Sequence, residues 1–173
     1  MYTQKRMRVI ENLLDMAGID RGRVQLRWVS AAEGQLFASY IRELSGELEK
    51  LGPFDASKLS LQLSAIESVL KSPRVRWLIG IDRQVTERGN VYNEKVDSAV
   101  FERTLRSVCE TEYENALILE VLRSGPKSVR EISAGTGLGI REVSKRLVDV
   151  EKIGAAELYG YEGAAPKFIR TGA

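Results

Sequence analysis

The stretch from Arg23 to Pro53 constrains the fold most strongly, because its hydrophobic period changes in the middle. Apolar residues first recur at every second position, at Val24, Leu26 and Trp28, which predicts a β-strand over Arg23–Val29. Ser30 and Glu33 have the spacing of a capping box, which predicts that a helix begins there. The apolar stripe of this helix comprises Leu36, Tyr40, Leu44, Leu48 and Leu51, with Phe37 and Ile41 beside it. Gly52-Pro53 ends it.

A strand followed directly by a helix is half of an α/β unit. A parallel strand needs neighbouring strands on its edges, and the sequence offers none nearby. A helix over Thr3–Ala17 precedes the strand, with Gly18 as its stop signal. We therefore expect residues 1–53 to be a partial α/β domain, whose apolar strand face and Leu36–Leu51 stripe stay partly uncovered unless another part of the chain or a partner covers them.

The middle of the chain, residues 54–110, is predicted to be a helical linker. Its apolar periodicity gives three helices, over Leu59–Lys71, Arg74–Arg88 and Asn93–Cys109. Pro73 suits the first position of a helix, and Gly89-Asn90 breaks the pattern. The overall fold class is therefore mostly α, with a small α/β element at the N-terminus.

Residues 111–173 have the pattern of a winged helix. Helices are predicted over Glu112–Ser124, from the capping box of Ser128 and Glu131 to Ala134, and over Ile140–Ile153. Two strands follow, Ala156–Tyr159 and Lys167–Arg170, around a turn at residues 160–163. Three helices and a hairpin in this order are typical of a winged helix.

Composition and charge exclude several classes of function. The 173 residues contain 26 Lys and Arg against 24 Asp and Glu, so a net charge of +2 indicates neither a membrane surface nor a nucleic acid as partner. No apolar run is long enough to span a bilayer, and the cytoplasm is the expected location. The chain has no histidine and one cysteine, Cys109, so no catalytic, metal-binding or cofactor-binding residue is predicted.

DNA binding by the third helix of the winged helix is the alternative. Arg141, Lys145 and Lys152 point outward on a helical wheel, which suits contacts to phosphates. However, Glu142 and Asp149 share that surface, and residues 111–173 contain nine acidic and nine basic residues. Because DNA readers are usually clearly basic, DNA is not the expected partner, and protein docking is favoured.

Residues 2–53 resemble the C-terminal half of the delta-subunit family of methyl-viologen-reducing hydrogenase. The motif residues that carry the resemblance are Trp28, Ser30, Glu33 and Gly34, within the segment RWVSAAEG. Further matching segments are YTQKR at residues 2–6, IDRGRV at residues 19–24, Phe37-Ala38 and Leu51-Gly52-Pro53. The resemblance covers about a third of the chain and leaves the remainder unexplained.

The resemblance implies electron transfer. Members of the family carry a [2Fe–2S] cluster that passes electrons from a hydrogenase or formate dehydrogenase to the flavoprotein A subunit of a heterodisulfide-reductase-like complex. The cluster cysteines of the family lie upstream of the YTQKR segment, so the resemblance assigns no cluster ligand to any residue here, and Cys109 lies outside the matching region. A split gene, a fragment, and a reading frame interrupted at a selenocysteine codon are the open explanations, and the last two together are the favoured hypothesis.

Overall fold

The computed structural model describes residues 2–172, without the side chain of Tyr2. The chain forms two compact units that divide between Leu59 and Ser60. Helices dominate both units, as predicted, and the second unit adds a small antiparallel sheet. Among the described residues, no helix combines the length and apolar character that crossing a membrane requires.

The first unit contains two helices joined by a long connection. Helix α1 spans Tyr2–Met16 and α2 spans Gly34–Leu51, which confirms both predicted helices. Gly18 has a φ of +69°, and the next residue donates from its amide back to the carbonyl of Leu14 at 2.8 Å. A single 3₁₀ turn, Arg21–Arg23, follows.

The predicted strand over Arg23–Val29 was wrong. The chain is extended at Val24, with φ −132° and ψ 118°, but the described part of the chain contains no strand that pairs with residues 24–29. A β-strand is defined by hydrogen bonds to a neighbour, so an alternating pattern without a neighbour yields only extended backbone. We call Val24–Val29 the extended segment.

The predicted capping box at Ser30 and Glu33 forms only in part. The Glu33 carboxylate accepts from the Ser30 amide at 2.7 Å, as expected. The Glu33 amide, however, donates to the backbone carbonyl of Ser30 at 2.9 Å, and the Ser30 hydroxyl accepts from Ala32 instead. Ser30–Glu33 is therefore a turn that precedes α2, whose first residue is Gly34.

Helices α3, α4 and α5 form the first part of the second unit. They span Ser60–Lys71, Pro73–Arg83 and Ser98–Leu122, and residues Gln84–Arg88 continue α4 as a π-helix. Ser72 caps α4, and Pro73 occupies its first turn as predicted. The two helices predicted over Asn93–Cys109 and Glu112–Ser124 are one helix of 25 residues, because no glycine or proline separates them.

The remaining elements alternate short helices with strands. They are β1 Lys127–Ser128, α6 Val129–Thr136, α7 Ile140–Lys152, β2 Ala156–Glu162 and β3 Ala165–Arg170. The strands form an antiparallel sheet in the order β1-β3-β2, in which Ser128 is the partner of Lys167 and Ala156 that of Arg170.

The capping box of Ser128 and Glu131 is complete, as predicted. The Ser128 hydroxyl accepts from the Glu131 amide at 3.4 Å, and the Glu131 carboxylate accepts from the Ser128 amide at 2.7 Å. Hydrogen bonds from Lys167 and from Ser128 lower the pKa of Glu131 to about 2. Gly137 ends α6 in the left-handed region, with φ +76°.

The hairpin turn lies later than predicted. β2 continues through residues 160–162, and the chain turns at Gly163-Ala164, where Gly163 has a φ of +61°. Gly160 instead follows a shift in the register between β2 and β3. The two-residue strand β1 was not predicted, because so short a segment has no detectable period.

One apolar core joins α5, α6, α7 and the sheet. Its buried side chains come from every one of these elements, so the helices and the hairpin fold as one body. The buried members are Ile118, Leu122, Ile132, Val143, Leu147, Val150 and Ala156.

Candidate docking site

Arg23 holds the start of the extended segment against α2. Its guanidinium donates to the backbone carbonyls of Leu51 and Gly52 at 3.0 and 3.1 Å. Those carbonyls lie at the C-terminal end of the helix, where acceptors lack helical partners and a cation is favourable. Arg23 therefore provides hydrogen-bond donors for the last carbonyls of α2. Its guanidinium also lies 5.3 Å from the centroid of the Phe54 ring.

Two further polar side chains of the extended segment contact α2. The Gln25 amide donates to the Glu47 carboxylate. The Arg27 guanidinium lies 5.3 Å from the centroid of the Tyr40 ring and 4.0 Å from the Glu43 carboxylate. Each of these exposed contacts is weak. Their regular spacing, however, shows how the segment runs along α2.

The repeat follows from the geometry of the two elements. Two residues of extended chain advance about 6.6 Å, and four residues of α-helix advance about 6 Å. Residues 23, 25 and 27 therefore contact positions on α2 that lie progressively nearer its N-terminus. The extended segment runs antiparallel to α2, with its odd-numbered side chains against the helix.

Both the apolar and the polar residues of the extended segment line a groove beside α1. The groove has a volume of about 400 Å³. Its lining consists of Gln4, Met7, Arg8, Glu11, Val24, Gln25, Leu26, Arg27 and Trp28. The groove thus combines apolar side chains with polar and charged ones from both α1 and the extended segment.

Large apolar side chains remain exposed on this unit. Trp28 is 60% exposed, Phe37 53% and Ile41 47%, and we call these three residues the docking surface. Phe37 and Ile41 are neighbours one turn apart on α2, and none of the 18 residues of that helix, all of which the structure describes, is buried. The expectation of a partly uncovered apolar stripe is confirmed. Aromatic side chains are enriched at protein interfaces, which makes these residues the candidate docking site.

The four family-motif residues lie where the extended segment joins α2. Trp28 belongs to the docking surface, Ser30 and Glu33 form the turn, and Gly34 begins the helix. The contacts of Arg23, Gln25 and Arg27 were not foreseen, although their alternation with the apolar residues was visible in the sequence. The motif residues therefore lie at the junction between the extended segment and α2.

The basic residues considered for DNA binding lie on the outer face of α7. Arg141, Lys145 and Lys152 are all exposed, and Lys145 pairs with Glu142 at 3.5 Å. Ile140 and Val148 are also exposed on this helix, at 55% and 47%. The face is therefore mixed apolar and basic.

Arg146 occupies the centre of an ion-pair network that sequence reasoning missed. It contacts Glu114 of α5 at 2.6 Å and, within α7, Glu142 at 3.0 Å and Asp149 at 3.1 Å. Burial alone would lower the pKa of Arg146, but hydrogen bonds to Glu114 and Asp149 outweigh it and raise that pKa. Burial raises the pKa of the Glu114 carboxyl, although Arg146 opposes the shift.

The donor groups of this chain do not suit an iron–sulfur cluster. A [2Fe–2S] cluster requires four ligands, usually cysteine thiolates, whereas this sequence has one cysteine and no histidine. Burial, with a smaller effect of Glu112, raises the pKa of Cys109 to about 11, so the side chain is a buried thiol. Among the described residues, no group of three or more potential ligand side chains is positioned to hold a metal ion.

The chain is thus mostly helical and forms two units, the first of which exposes large apolar side chains. Residues 1–52 match the family model described as "Methyl-viologen-reducing hydrogenase, delta subunit". The resemblance inferred from the motif residues is thereby confirmed for the first unit. No solved structure matches the chain.

Curated relatives match part of this chain. The chain is 36% identical over 69 residues to the A subunit of ferredoxin:CoB-CoM heterodisulfide reductase from Methanosarcina mazei, a match covering 39% of this chain and 9% of that protein. It is 40% identical over 50 residues to the iron-sulfur D subunit of F420-non-reducing hydrogenase from Archaeoglobus profundus, covering 29% and 36% respectively. The iron-sulfur D subunit of the vhu F420-non-reducing hydrogenase from Methanocaldococcus jannaschii is 40% identical over 53 residues, covering 31% and 40%. The chain thus spans less than half of each of these relatives.

Proposed function

We propose that this protein is a docking subunit, or the C-terminal part of one, in a hydrogenase and heterodisulfide-reductase-like electron-transfer complex. Its first unit binds the flavoprotein A subunit, and the chain itself holds no cluster. The observation that carries the proposal is the coincidence of two features in residues 1–52. The same residues match the delta-subunit family and bear the exposed Trp28, Phe37 and Ile41.

The names of the relatives support the choice of partner. Part of this chain is similar to part of the A subunit of a heterodisulfide reductase, and part is similar to the separate iron–sulfur D subunits of hydrogenases. A chain with similarity to both kinds of polypeptide is suited to work where the two meet. A hydrogenase or a formate dehydrogenase is the donor side of the proposed complex, which acts in the cytoplasm.

We further propose that residues 111–173 form a winged helix that contacts protein. The order of α5, α6, α7 and the β2–β3 hairpin supports this assignment. On the outer face of α7, Glu142 pairs with both Lys145 and Arg146, and exposed Ile140 and Val148 lie among the basic residues. Apolar side chains in that position favour a protein surface over a phosphate backbone.

Co-purification tests the proposed partner directly. The full chain with an affinity tag is co-expressed with the A subunit of the heterodisulfide-reductase-like complex from the same genome, and flavin absorbance is followed through size exclusion. We expect a stoichiometric, flavin-containing complex. A specific complex has a Kd well below about 10 μM. If the two proteins do not associate at this concentration, the proposal is contradicted.

A gel shift at low salt distinguishes the alternative function. A DNA-binding regulator would retard duplex DNA, and the double substitution R141E and K145E would abolish the shift. We expect no retardation by the unmodified chain. A salt-dependent shift that the double substitution removes would favour the regulator.

A further inference from the structure

A small cavity lies in the second unit, where the end of α5 meets the last residues of the chain after β3. Its volume is about 330 Å³, at the lower end of the range for small-molecule sites in proteins. The lining consists of two arginines, two aliphatic residues and two glycines, namely Arg123, Arg170, Leu122, Ile169, Gly125 and Gly172. A few polar groups on an otherwise apolar wall are typical of a binding site for a small molecule.

The two arginines of the cavity share one carboxylate. Glu120, whose side chain is 11% exposed, lies 3.2 Å from Nε of Arg123 and 3.7 Å from Nη1 of Arg170. The longer distance is an ion pair without a hydrogen bond. Nη1 of Arg170 is buried, and no group in the part of the chain that the structure describes forms a hydrogen bond with it. The two guanidinium groups therefore keep an excess positive charge and unused donors.

A second carboxylate near Arg123 does not remove this excess charge. Glu67 of α3 accepts a hydrogen bond from Lys71 at 2.5 Å. That hydrogen bond lowers the pKa of Glu67, and the charge of Arg123 adds a smaller effect in the same direction. Glu67 is therefore paired with its own lysine. A buried guanidinium nitrogen without an acceptor is unfavourable, and an anion in the cavity would supply acceptors to this group.

We propose that this cavity binds an aliphatic monocarboxylate, either a free small molecule or the C-terminal residue of a peptide. A planar guanidinium matches a carboxylate group, to which it can donate two parallel hydrogen bonds. Arg170 provides this group and Arg123, which is 62% exposed, adds a second cation at the cavity mouth. Leu122 and Ile169 contact the aliphatic part of the ligand. The cavity lies outside the segment that matches the family, so the proposal does not rest on the proposed electron-transfer function.

The shared carboxylate sets the charge of the ligand. Two arginines and Glu120 leave one positive charge in excess, which a monocarboxylate balances. A phosphate dianion would bring additional negative charge close to Glu120, and this arrangement is repulsive. The aliphatic side of the cavity also suits an alkyl chain better than a hydrated phosphate oxygen. Inorganic phosphate is therefore the contrasting probe.

Titration of the full, ¹⁵N-labelled chain with valerate tests the proposal by NMR, in a low-salt buffer free of other carboxylates. We expect saturable shifts of the amides of Gly125, Ile169 and Gly172, with a Kd below about 5 mM. The amides of α2 should not shift, and inorganic phosphate should bind less tightly than valerate. A Kd for valerate above about 5 mM, or phosphate binding that is as tight or tighter, overturns the proposal.

A pair of peptides distinguishes the two sources of the carboxylate. Both have the same sequence ending in leucine, but one has a free C-terminal carboxylate and the other a C-terminal amide. Tighter binding of the free acid than of valerate identifies a peptide C-terminus as the ligand, and weaker binding than valerate identifies a free small molecule. Equal binding of the acid and the amide overturns recognition of a carboxylate.

Substitutions assign the binding to the charged residues of the cavity. R123Q and R170Q should each weaken valerate binding at least about tenfold, whereas R130Q, at an exposed arginine of α6 outside the cavity, should leave it unchanged. E120Q should strengthen binding, because it removes the carboxylate that competes for both guanidinium groups. R123Q alters an exposed side chain and carries the test if R170Q does not fold. Unchanged affinity in R123Q, or weaker binding by folded E120Q, overturns the proposal.

Discussion

Removing Trp28 should weaken binding to the flavoprotein A subunit about 100-fold. A tryptophan side chain buries about 150–250 Å² when fully covered, and Trp28 is 60% exposed in the free protein. Covering the exposed part removes roughly 120 Å² from water, which at about 25 cal/mol per Å² corresponds to about 3 kcal/mol. W28S should therefore raise the Kd by about two orders of magnitude.

Trp77 provides a matched control for this substitution. It is 62% exposed, nearly the same as Trp28, but lies in α4, outside the segment that matches the family. Isothermal titration of the purified variants with the flavoprotein should give a large loss for W28S and a change of less than about threefold for W77S, within the range of a near-neutral contact. Equal losses for the two variants, or no loss for W28S, would refute the assignment of the docking surface.

Three further predictions concern the second unit and the cofactor. R146M should lower the free energy of unfolding by about 3 kcal/mol at pH 7, because it leaves the Glu114 carboxylate unpaired in a largely buried site. Since the folded-state pKa of Glu114 is raised above 4.5, the loss should shrink as the pH falls and this carboxyl becomes protonated; denaturant titrations showing a constant loss would contradict this reasoning. Because burial raises the pKa of Cys109 to about 11, iodoacetamide at about pH 8 should alkylate the native thiol more than about 100-fold more slowly than the unfolded one, and comparable rates by mass spectrometry would exclude a buried thiol. Reconstitution of the chain alone with iron and sulfide should leave it colourless, and a stable [2Fe–2S] absorption spectrum would show that the donor set has been misjudged.

The sequence predicted helices well where their ends carry specific residues. Gly18 and Gly52 mark the ends of α1 and α2, and Ser72 with Pro73 marks the start of α4. The continuity of α5 was missed, although no glycine or proline interrupts residues 98–122. Local chemistry at helix ends acts over a few residues, and for this reason a sequence reveals it.

The extended segment shows where local reasoning fails. The alternation of Val24, Leu26 and Trp28 correctly indicates extended backbone, but strand pairing depends on a neighbour that no local pattern specifies. The exposure of α2 was predictable, because the apolar stripe of this helix has no sheet to pack against.

The network around Arg146 could be predicted only in part. A helical wheel correctly places Arg141, Lys145 and Lys152 outward. Arg146 lies at the border of the apolar face, next to Leu147, and its burial depends on Glu114, which is 32 residues away in the sequence. Contacts over such distances require the packing of α5 against α7 to be known.

Every two residues of the extended segment correspond to about four residues of α2. This spacing also limits which insertions and deletions the region can tolerate. Loss of one residue between Arg23 and Trp28 would exchange the side chains that contact α2 with their neighbours, placing apolar groups against Glu43 and Glu47. Loss of two residues would preserve the alternation but shift the segment by about one helical turn. Length changes in this region should therefore occur in pairs, accompanied by a change of about four residues in α2.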